Sequence, residues 1–285
     1  MINELVQYAD SRPDMPAPFY RHRPIRWVLD LHVQPDCAAT ITINPHDGTD
    51  AVPVMRRSGS KPIPTLAVDQ ACYVLGVDGP GAAGVTPKQA ETRFGAWWQQ
   101  MQVWAAGPNS HPAVVAALVA LNTATEVACE HEVGPRDRVA TRVNGVWLHQ
   151  LPQAHTEWSR IVSDTKSGPE GLCVSCGQHT KLARTLPNGI PGHLLPGADY
   201  DVQLTLLPEA EREAGGHLPI CVECGDKATH ALELLLADPR HSTTKSNTTR
   251  RTVVFGLGGA DVDARVVALM QELGMPSDRP RGSDQ

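Results

Sequence analysis

The sequence predicts an α+β protein in which a mixed N-terminal domain, with a small antiparallel sheet and helices, is followed by a smaller cysteine-containing module. Three observations support this fold class. Residues 25–32 alternate as a strand does, and residues 139–148 are predicted to form a hairpin because Asn144-Gly145 interrupts them. Residues 87–106 and 111–130 carry apolar side chains at helical spacing. The second half contains two Cys-x-x-Cys motifs.

The remaining elements follow in order along the chain. A short amphipathic helix is predicted over residues 1–10. Further strands are predicted over residues 38–44, 202–207 and 252–255, and further helices over residues 66–76, 152–163, 227–236 and 261–273. Helix-breaking residues at 166–169 predict a boundary. We therefore expect an N-terminal domain over residues 1–168, a second module over 169–258, and a terminal helix with a polar tail over 259–285.

Each Cys-x-x-Cys motif is followed by glycine, as in zinc knuckles. The spacing lets backbone amides point at both sulfurs, and the glycine relieves the tight turn. Four thiolates that converge on one ion leave no coordination position for water, so a structural zinc is predicted rather than a catalytic one. The alternative is four unrelated buried thiols. The predicted ligands of this zinc-ribbon-like module are Cys173, Cys176, Cys221 and Cys224.

Composition limits the classes of function. With 285 residues and a net charge of −6, the chain does not suit a protein that binds nucleic acid over its whole surface, although local basic patches are compatible with this charge. No apolar run reaches transmembrane length, and the first residues lack the features of a secretory signal. A cytoplasmic protein without membrane contacts is expected.

Several segments are candidates for nucleic-acid contact. In residues 55–62, three cations flank Ser-Gly-Ser as a phosphate clasp requires, although a solvated charged loop explains the pattern equally well. A basic linker precedes residues 25–32, a loop rich in Gly and Pro spans 186–197, and a strip of basic and hydroxyl residues spans 240–251. The candidate contact residues are Arg21, Arg23, Arg56, Arg57, Ser58, Lys61, Asn188, Gly189, His193, Lys245, Asn247, Arg250 and Arg251.

Two other patterns suggest enzymes. Residues 256–261 are similar to a dinucleotide-binding glycine loop, but the third glycine is missing and too little chain follows for the βαβ unit. A zinc-braced HNH endonuclease also places paired Cys-x-x-Cys motifs beside a histidine base, which His193 matches in part. The Asp expected before that base is Gly192, and the other metal ligands are absent from the sequence. An HNH-like nuclease and a zinc-ribbon adaptor that binds only protein remain the alternatives.

Ordered sequence landmarks are shared with one family. They are Pro24-Ile-Arg-Trp27, Arg57-Ser-Gly-Ser-Lys-Pro62, Asp69-Gln-Ala-Cys-Tyr-Val-Leu-Gly76, Gly171-Leu-Cys173, Leu182-Ala-Arg-Thr-Leu-Pro187 with Gly189-Ile190, and Thr252-Val-Val-Phe255. In this order the chain resembles the large subunit of type I-C CRISPR-Cas surveillance (Cascade) complexes, from residue 1 to about residue 256. Within these landmarks, Arg57, Ser58 and Lys61 match the family's basic Ser/Thr-Gly-x-Lys-Pro loop.

The resemblance implies a non-enzymatic subunit of a ribonucleoprotein complex in antiviral defence. Such a subunit lies near the 5′ handle of the guide RNA, reads the protospacer-adjacent motif (PAM) of target double-stranded DNA, and helps to open the strands. The implied partners are the guide RNA, the target duplex, the backbone and handle-binding subunits, and a separate helicase or helicase-nuclease. By this analogy residues 1–168 hold the guide-handle and complex contacts, and the basic loop grips phosphates. The 188–193 loop and the 245–251 strip are candidates for contact with the PAM and the duplex.

Two departures from the family pattern add expectations. The chain stops where usual members continue into a large helical half, so we expect a short variant whose missing functions are absent or supplied by other chains. It also carries a complete four-Cys set where typical type I-C members keep only part of that pattern, which makes it similar to the zinc-bearing large subunit of type IV complexes.

Overall fold

The computed structural model describes residues 2–34, 38–57, 61–79, 84–123, 127–128, 132–202, 218–244, 251–253, 265 and 268. The chain begins with helix α1 (Ile2–Asp10) and divides into two units. Residues Phe19–Ile161 form one of them, called the sheet unit below, and Met1–Pro18 with Val162–Gln285 form the other, called the cysteine unit. Among the described helices, none combines the length and apolar character needed to cross a membrane.

The sheet unit contains a six-stranded sheet. Its long strands, β1 (Tyr20–Val33) and β2 (Ala39–Pro53), pair antiparallel and correspond to the strands predicted over residues 25–32 and 38–44. The shorter strands are β3 (Val68–Gln70), β4 (Val127–Ala128), β5 (Arg138–Val143) and β6 (Val146–Trp147). The strand order is β3-β5-β1-β2-β4, and β6 pairs with β5.

The α+β class predicted from the sequence is confirmed, but the sheet is mixed rather than wholly antiparallel. Strand β1 runs parallel to β5, and β2 runs parallel to β4. A parallel pairing needs a long crossover connection, and helices lie in the chain between β1 and β5. Local alternation and turn residues, from which the strands were predicted, do not indicate which distant strands pair in parallel.

The helices that begin in the sheet unit are α2 (Ala71–Val74), α3 (Pro87–Ala106), α4 (Pro112–Thr123) and α5 (Pro152–Lys166). Helix α3 starts with a capping box, in which the side chains and backbone amides of Thr86 and Gln89 bond reciprocally. Its inward face includes Trp97 and Trp104, whose side chains are fully buried. These helices therefore supply the apolar cover of the unit.

Only part of the helix predicted over residues 66–76 is helical. Ala67 adopts a φ of 61°, and the next three residues pair with β5 as β3. The Asp69 carboxylate accepts hydrogen bonds from the backbone amides of Thr65 at 2.7 Å and Gln70 at 2.6 Å. Because these bonds offer the backbone an alternative to a helix, the helix starts only at Ala71.

The hairpin predicted over residues 139–148 is confirmed by the antiparallel pairing of β5 and β6. Asn144 and Gly145 have φ angles of 47° and 84°, the left-handed values that a two-residue type I′ turn requires. The Asn144 side chain also accepts a bond from the Val33 amide at 2.9 Å and donates one to the Val33 carbonyl at 3.1 Å. The turn is therefore tied to the end of β1.

The cysteine unit packs α1 against helix α6 (Val222–Ala237) around a shared apolar core that includes Leu5, Val6, Ala231 and Leu235. Two small antiparallel pairs accompany it, β7 (Ser167–Leu172) with β8 (His179–Ala183), and β9 (Ser242–Thr244) with β10 (Arg251–Val253). Helix α1 thus contributes to the core that holds the cysteines, whereas the sequence assigns residues 1–10 to the N-terminal domain. The predicted strand at 202–207 beyond Val202, and most of the predicted helix at 261–273, lie outside the described residues.

Candidate metal centre and nucleic-acid interface

The four cysteines of the two Cys-x-x-Cys motifs come together in the cysteine unit. Cys173 and Cys176 lie between β7 and β8, and Cys221 and Cys224 lie at the start of α6. Their Sγ atoms all lie within 4.8 Å of one another. In a tetrahedral site with Zn–S bonds of about 2.3 Å, two sulfurs are about 3.8 Å apart, so the cluster needs little adjustment to hold zinc.

Backbone hydrogen bonds shape the first knuckle. The Gly177 amide donates to the Cys173 carbonyl at 2.9 Å, and the Cys173 amide donates to the Gln178 carbonyl at 2.9 Å. Gly177 has a φ of 70°, in the left-handed region that favours glycine. The turn role predicted for this glycine is confirmed.

The second knuckle is the first turn of a helix rather than a separate turn. The sequence predicts a helix from residue 227, whereas α6 begins at Val222 with Cys221 as its N-cap. The turn-relieving role predicted for Gly225 is therefore wrong, because this residue lies inside the helix. Gly225 serves close packing instead, since a Cβ there would lie 2.6 Å from Cδ2 of Leu186.

Hydrogen bonds to sulfur favour negative charge in the cluster. The Cys221 amide donates to Sγ of Cys173 at 3.3 Å, and the Cys224 amide donates to Sγ of Cys221 at 3.4 Å. A hydrogen bond from the Cys224 thiol lowers the pKa of Cys221, and the same interaction raises the pKa of Cys224. Cys221 is therefore the first thiolate, at a helix N-terminus where the helix dipole also favours negative charge.

The donor set has the chemistry of a closed structural metal site. All four donors are free thiols, and thiolate sets of this kind suit zinc. Cys173, Cys221 and Cys224 are buried among apolar side chains, while Cys176 is exposed. Among the described residues, no other group of three or more metal-ligating side chains lies close enough together to hold an ion. The residues therefore fit a zinc ion.

Residues 186–202 form an ordered loop in the same unit. Ile190 and Val202 exchange two backbone hydrogen bonds of 2.8 Å each, and Gly192–Leu194 forms a 3-10 turn. A Cβ on Gly192 would lie 2.6 Å from the Tyr200 carbonyl oxygen, and a Cβ on Gly189 would lie 3.0 Å from that of Val202. Glycine at both positions therefore permits close backbone approach across the loop, where the sequence predicted no regular structure.

The predicted contact residues of this loop have different surroundings. Asn188 donates through Nδ2 to Oδ1 of the buried Asp226 at 2.9 Å, which fixes the loop on α6. Gly189 is half-buried, whereas His193 is exposed in the 3-10 turn. The structure therefore makes His193 available to a ligand and gives Asn188 an internal bond.

Arg57, predicted to grip phosphate, is engaged within the sheet unit. Its guanidinium pairs with Asp69, whose side chain is only 2% exposed, and donates to the Ile63 carbonyl at 2.8 Å. The same group stacks over the Tyr73 ring at 4.2 Å. Burial opposes its charge, but the Asp69 carboxylate outweighs this effect and raises the pKa of Arg57. Arg57, which follows β2, is therefore bound to Ile63 and to Asp69 of β3.

The other predicted basic residues differ in exposure. Arg21 is 1% exposed and donates to the Tyr20 carbonyl at 2.9 Å, so protein encloses the guanidinium that was predicted to contact nucleic acid. Arg23 and Arg56 are half-buried, and Lys61 is exposed. Four other predicted contact residues lie outside the described part of the chain: Ser58, Lys245, Asn247 and Arg250. For Arg251 only the backbone, in β10, is described.

The sequence analysis missed one basic residue, Arg138, at the start of β5. Its Nη1 donates to the Pro24 carbonyl, 114 positions earlier in the chain, at 2.8 Å. Burial lowers the pKa of Arg138, and the positive charge of Arg23 lowers it further. No local pattern marks this residue, because only the parallel pairing of β1 and β5 brings it to this place.

Comparison with known proteins identifies one family. The family model described as CRISPR-associated protein (Cas_Csd1) matches residues 3–284, which is nearly the whole chain. A search of curated proteins found no match.

Proposed function

The chain belongs to the CRISPR-associated Cas_Csd1 family, and from this premise we propose that it is a non-catalytic large subunit of a type I-C-like guide-RNA surveillance complex. In this role it recognises the PAM of target double-stranded DNA and helps to start R-loop formation. The observation that carries the proposal is the family match over residues 3–284. The proposed division of labour is physically coherent, because a protein that reads a few base pairs leaves the remaining specificity to guide pairing.

We assign the four-cysteine cluster to a structural zinc ion. When bound, zinc supplies a cross-link between the first knuckle and the start of α6, and it has no open position for a substrate. A site of this kind contributes on the order of 10 kcal/mol of apparent folding free energy. The cysteines share their core with α1 and α6, so the metal stabilises the base on which the 186–202 loop rests.

The 186–202 loop is the proposed PAM-contacting element. It is anchored beside the second knuckle by the Asn188–Asp226 hydrogen bond and by Leu186 packed on Gly225. A loop that is ordered before binding loses little conformational freedom when it meets DNA. The exposed His193 is the proposed base-edge contact, since its imidazole can donate or accept a hydrogen bond in a groove. Asn188 then acts as a positioning residue.

The sheet unit is the proposed contact region for the 5′ handle of the guide RNA and for neighbouring subunits. Lys61 is exposed and Arg23 is half-buried, so both have surface available for phosphate contact. Arg57 is bound to Asp69 and to the Ile63 carbonyl, two positions after Lys61. The other proposed partners are the backbone and handle-binding subunits and a separate helicase or helicase-nuclease.

The proposal is tested on a complex reconstituted from the full chain, its neighbouring subunits and guide RNA. Affinity is measured for target duplexes that differ only in the few base pairs flanking the target. A correct base contact discriminates by about 1–3 kcal/mol, so we expect flank-dependent binding. His193→Ala should reduce this dependence, whereas the control His179→Ala, at an exposed histidine of β8, should preserve it.

Binding that is indifferent to the flank, or failure of the chain to join the guide-bound complex, would contradict the proposal. Divalent-metal-dependent DNA cleavage that disappears in His193→Ala would instead indicate a nuclease. Assembly with protein partners in the absence of any DNA affinity would indicate an adaptor.

A further inference from the structure

A groove of about 430 Å³ opens beside a bulge in β2, where that strand pairs with β1 in the sheet unit. The pairing of β1 with β2 shifts register at Arg26, so that this one residue faces two residues of β2, His46 and Asp47. Bulges re-aim side chains and are frequent next to functional sites. All three of these residues line the groove.

Arg138 lines the same groove as a half-buried cation. Its one hydrogen bond to the described residues goes to a neutral acceptor, the Pro24 carbonyl, and it forms no ion pair with a described carboxylate. A charge removed from water is normally paired. Burial and the nearby charge of Arg23 lower the pKa of Arg138 more than the Asp69 carboxylate raises it, so an anion bound beside Arg138 would relieve an unfavourable interaction.

Arg26 adds an exposed second cation. Its side chain is 70% exposed, and its Nε lies 3.6 Å from Oδ2 of Asp137. That oxygen already accepts hydrogen bonds from Nε1 of Trp27 at 2.9 Å and from the Gly134 amide at 3.0 Å. Asp137 therefore neutralises Arg26 only in part, and the terminal nitrogens of Arg26 make no hydrogen bond to the described residues.

The groove as a whole carries more positive than negative groups. Three guanidinium groups line it, from Arg26, Arg136 and Arg138, against the carboxylates of Asp47 and Asp137. Guanidinium is planar and presents paired donors that match two oxygens of one phosphate. The arrangement therefore favours a phosphate-type anion.

We infer that this groove binds a backbone phosphate of a nucleic-acid strand, with Arg138 as the bidentate contact and Arg26 as the second cation. The inference rests on the proposed function for the identity of the ligand. Guide RNA and target DNA share the phosphodiester chemistry that these arginines recognise, so the experiment uses both. The inference assigns binding roles to Arg26 and Arg138, which are not among the contact residues predicted from the sequence.

The test titrates the full chain into labelled single-stranded RNA and labelled double-stranded DNA over a range of salt concentrations. Arg138→Gln should lower affinity about tenfold and reduce the log–log salt slope by about 1, because one phosphate contact is lost. Arg138→Lys should keep the slope but not the full affinity, because it keeps the charge and loses the paired donors. Arg26→Gln should act in the same direction as Arg138→Gln. The matched control is Lys88→Gln, which removes one charge from the exposed surface of α3 and should change neither quantity.

The arms of the test separate the sources of phosphate. An effect on RNA alone assigns the groove to the guide, and an effect on the duplex alone assigns it to the target. Salt slopes for Arg138→Gln and Arg26→Gln that equal the native slope on both nucleic acids would overturn the inference. Unaltered nucleic-acid binding with lost subunit assembly would also overturn it, because the groove would then bind an acidic protein segment.

Two further readouts keep the test decisive. The exposed side chain of Arg26 makes Arg26→Gln informative even where Arg138→Gln fails to fold, which circular dichroism reveals. If the assembled complex binds in a flank-dependent way but the arginine variants keep the native salt slope, the inference about the groove is refuted and the proposed function stands. Altered salt slopes without flank dependence would do the reverse.

Discussion

Removal of the proposed zinc ion should unfold the cysteine unit while the sheet unit stays folded. The distribution of tryptophans makes this measurable. All six tryptophans lie within Phe19–Ile161, so their fluorescence reports on the sheet unit. Helices α1 and α6, of 9 and 16 residues, lie in the cysteine unit and contain no tryptophan. Their unfolding therefore changes far-UV circular dichroism but not tryptophan emission. A loss of ellipticity without a change in tryptophan emission therefore reports unfolding of the cysteine unit alone.

The magnitude follows from the composition of the core. Three of the twelve buried residues that pack around α1 and α6 are cysteines of the metal set, namely Cys173, Cys221 and Cys224. A structural zinc contributes about 10–16 kcal/mol in small zinc domains, which is as large as the entire stability of a typical domain, about 5–15 kcal/mol. Only nine buried residues remain in this core once the cysteines are set aside, and three of them are alanines, so we expect the unit to unfold without the metal.

The assay compares the native chain before and after chelation with Cys224→Ser. Both perturbations should reduce helical ellipticity without shifting tryptophan emission. Cys72→Ser is the matched control, because Cys72 is a buried thiol of the sheet unit, outside the metal set, and this variant should retain zinc. Unchanged ellipticity after zinc loss, or a tryptophan shift that accompanies it, would refute the reasoning.

Three further predictions concern the sheet unit. Asp69→Asn should lower the free energy of unfolding in urea by about 2–3 kcal/mol, less than for a fully buried pair because the Arg57 side chain is 29% exposed; an unchanged midpoint would count against this. Gly145→Ala should destabilise by about 1–2 kcal/mol because its φ is 84°. Gly95→Ala in α3, where an added Cβ meets nothing within 4 Å, should instead stabilise by up to about 1 kcal/mol; thermal melts in which the two variants shift the midpoint in the same direction would contradict this pair of predictions. Burial lowers the pKa of His149, so the unfolded chain binds the proton more strongly, and the stability of the sheet unit should decline as pH falls below about 6.5. Thermal melts followed by tryptophan fluorescence measure this decline, and an equally large decline in His149→Gln would rule out His149 as its cause.

The features that sequence predicts here are those encoded over a few residues. The Cys-x-x-Cys motifs place two sulfurs on one turn, and the four thiols do converge. Asn144-Gly145 tolerates the left-handed φ angles of a tight hairpin, and the hairpin is present. In both cases turn chemistry alone decides the local structure, so no knowledge of distant contacts is needed.

The features that sequence misses arise from pairing over long distances. The parallel contact of β1 with β5 makes the sheet mixed and brings Arg138 to the Pro24 carbonyl. Charge pattern gave equal weight to a phosphate clasp and a solvated loop at Arg57, and the buried partner Asp69 decides that its guanidinium is held internally. Arg21 looks like its basic neighbours in the sequence, yet its position on β1 buries it. Such outcomes depend on tertiary packing rather than on local composition.

The most direct test of PAM reading and strand opening places 2-aminopurine, whose fluorescence rises when the base unstacks, at the first target pairs beside the flank. The reconstituted guide-bound complex is compared with and without this chain, on duplexes with the tightest-binding flank and with an altered one. We predict a fluorescence rise on the tight-binding flank, a much smaller rise on the altered flank, and loss of the difference when the chain is omitted. A rise that is equal on both flanks, or a difference that persists without the chain, would contradict the proposed role.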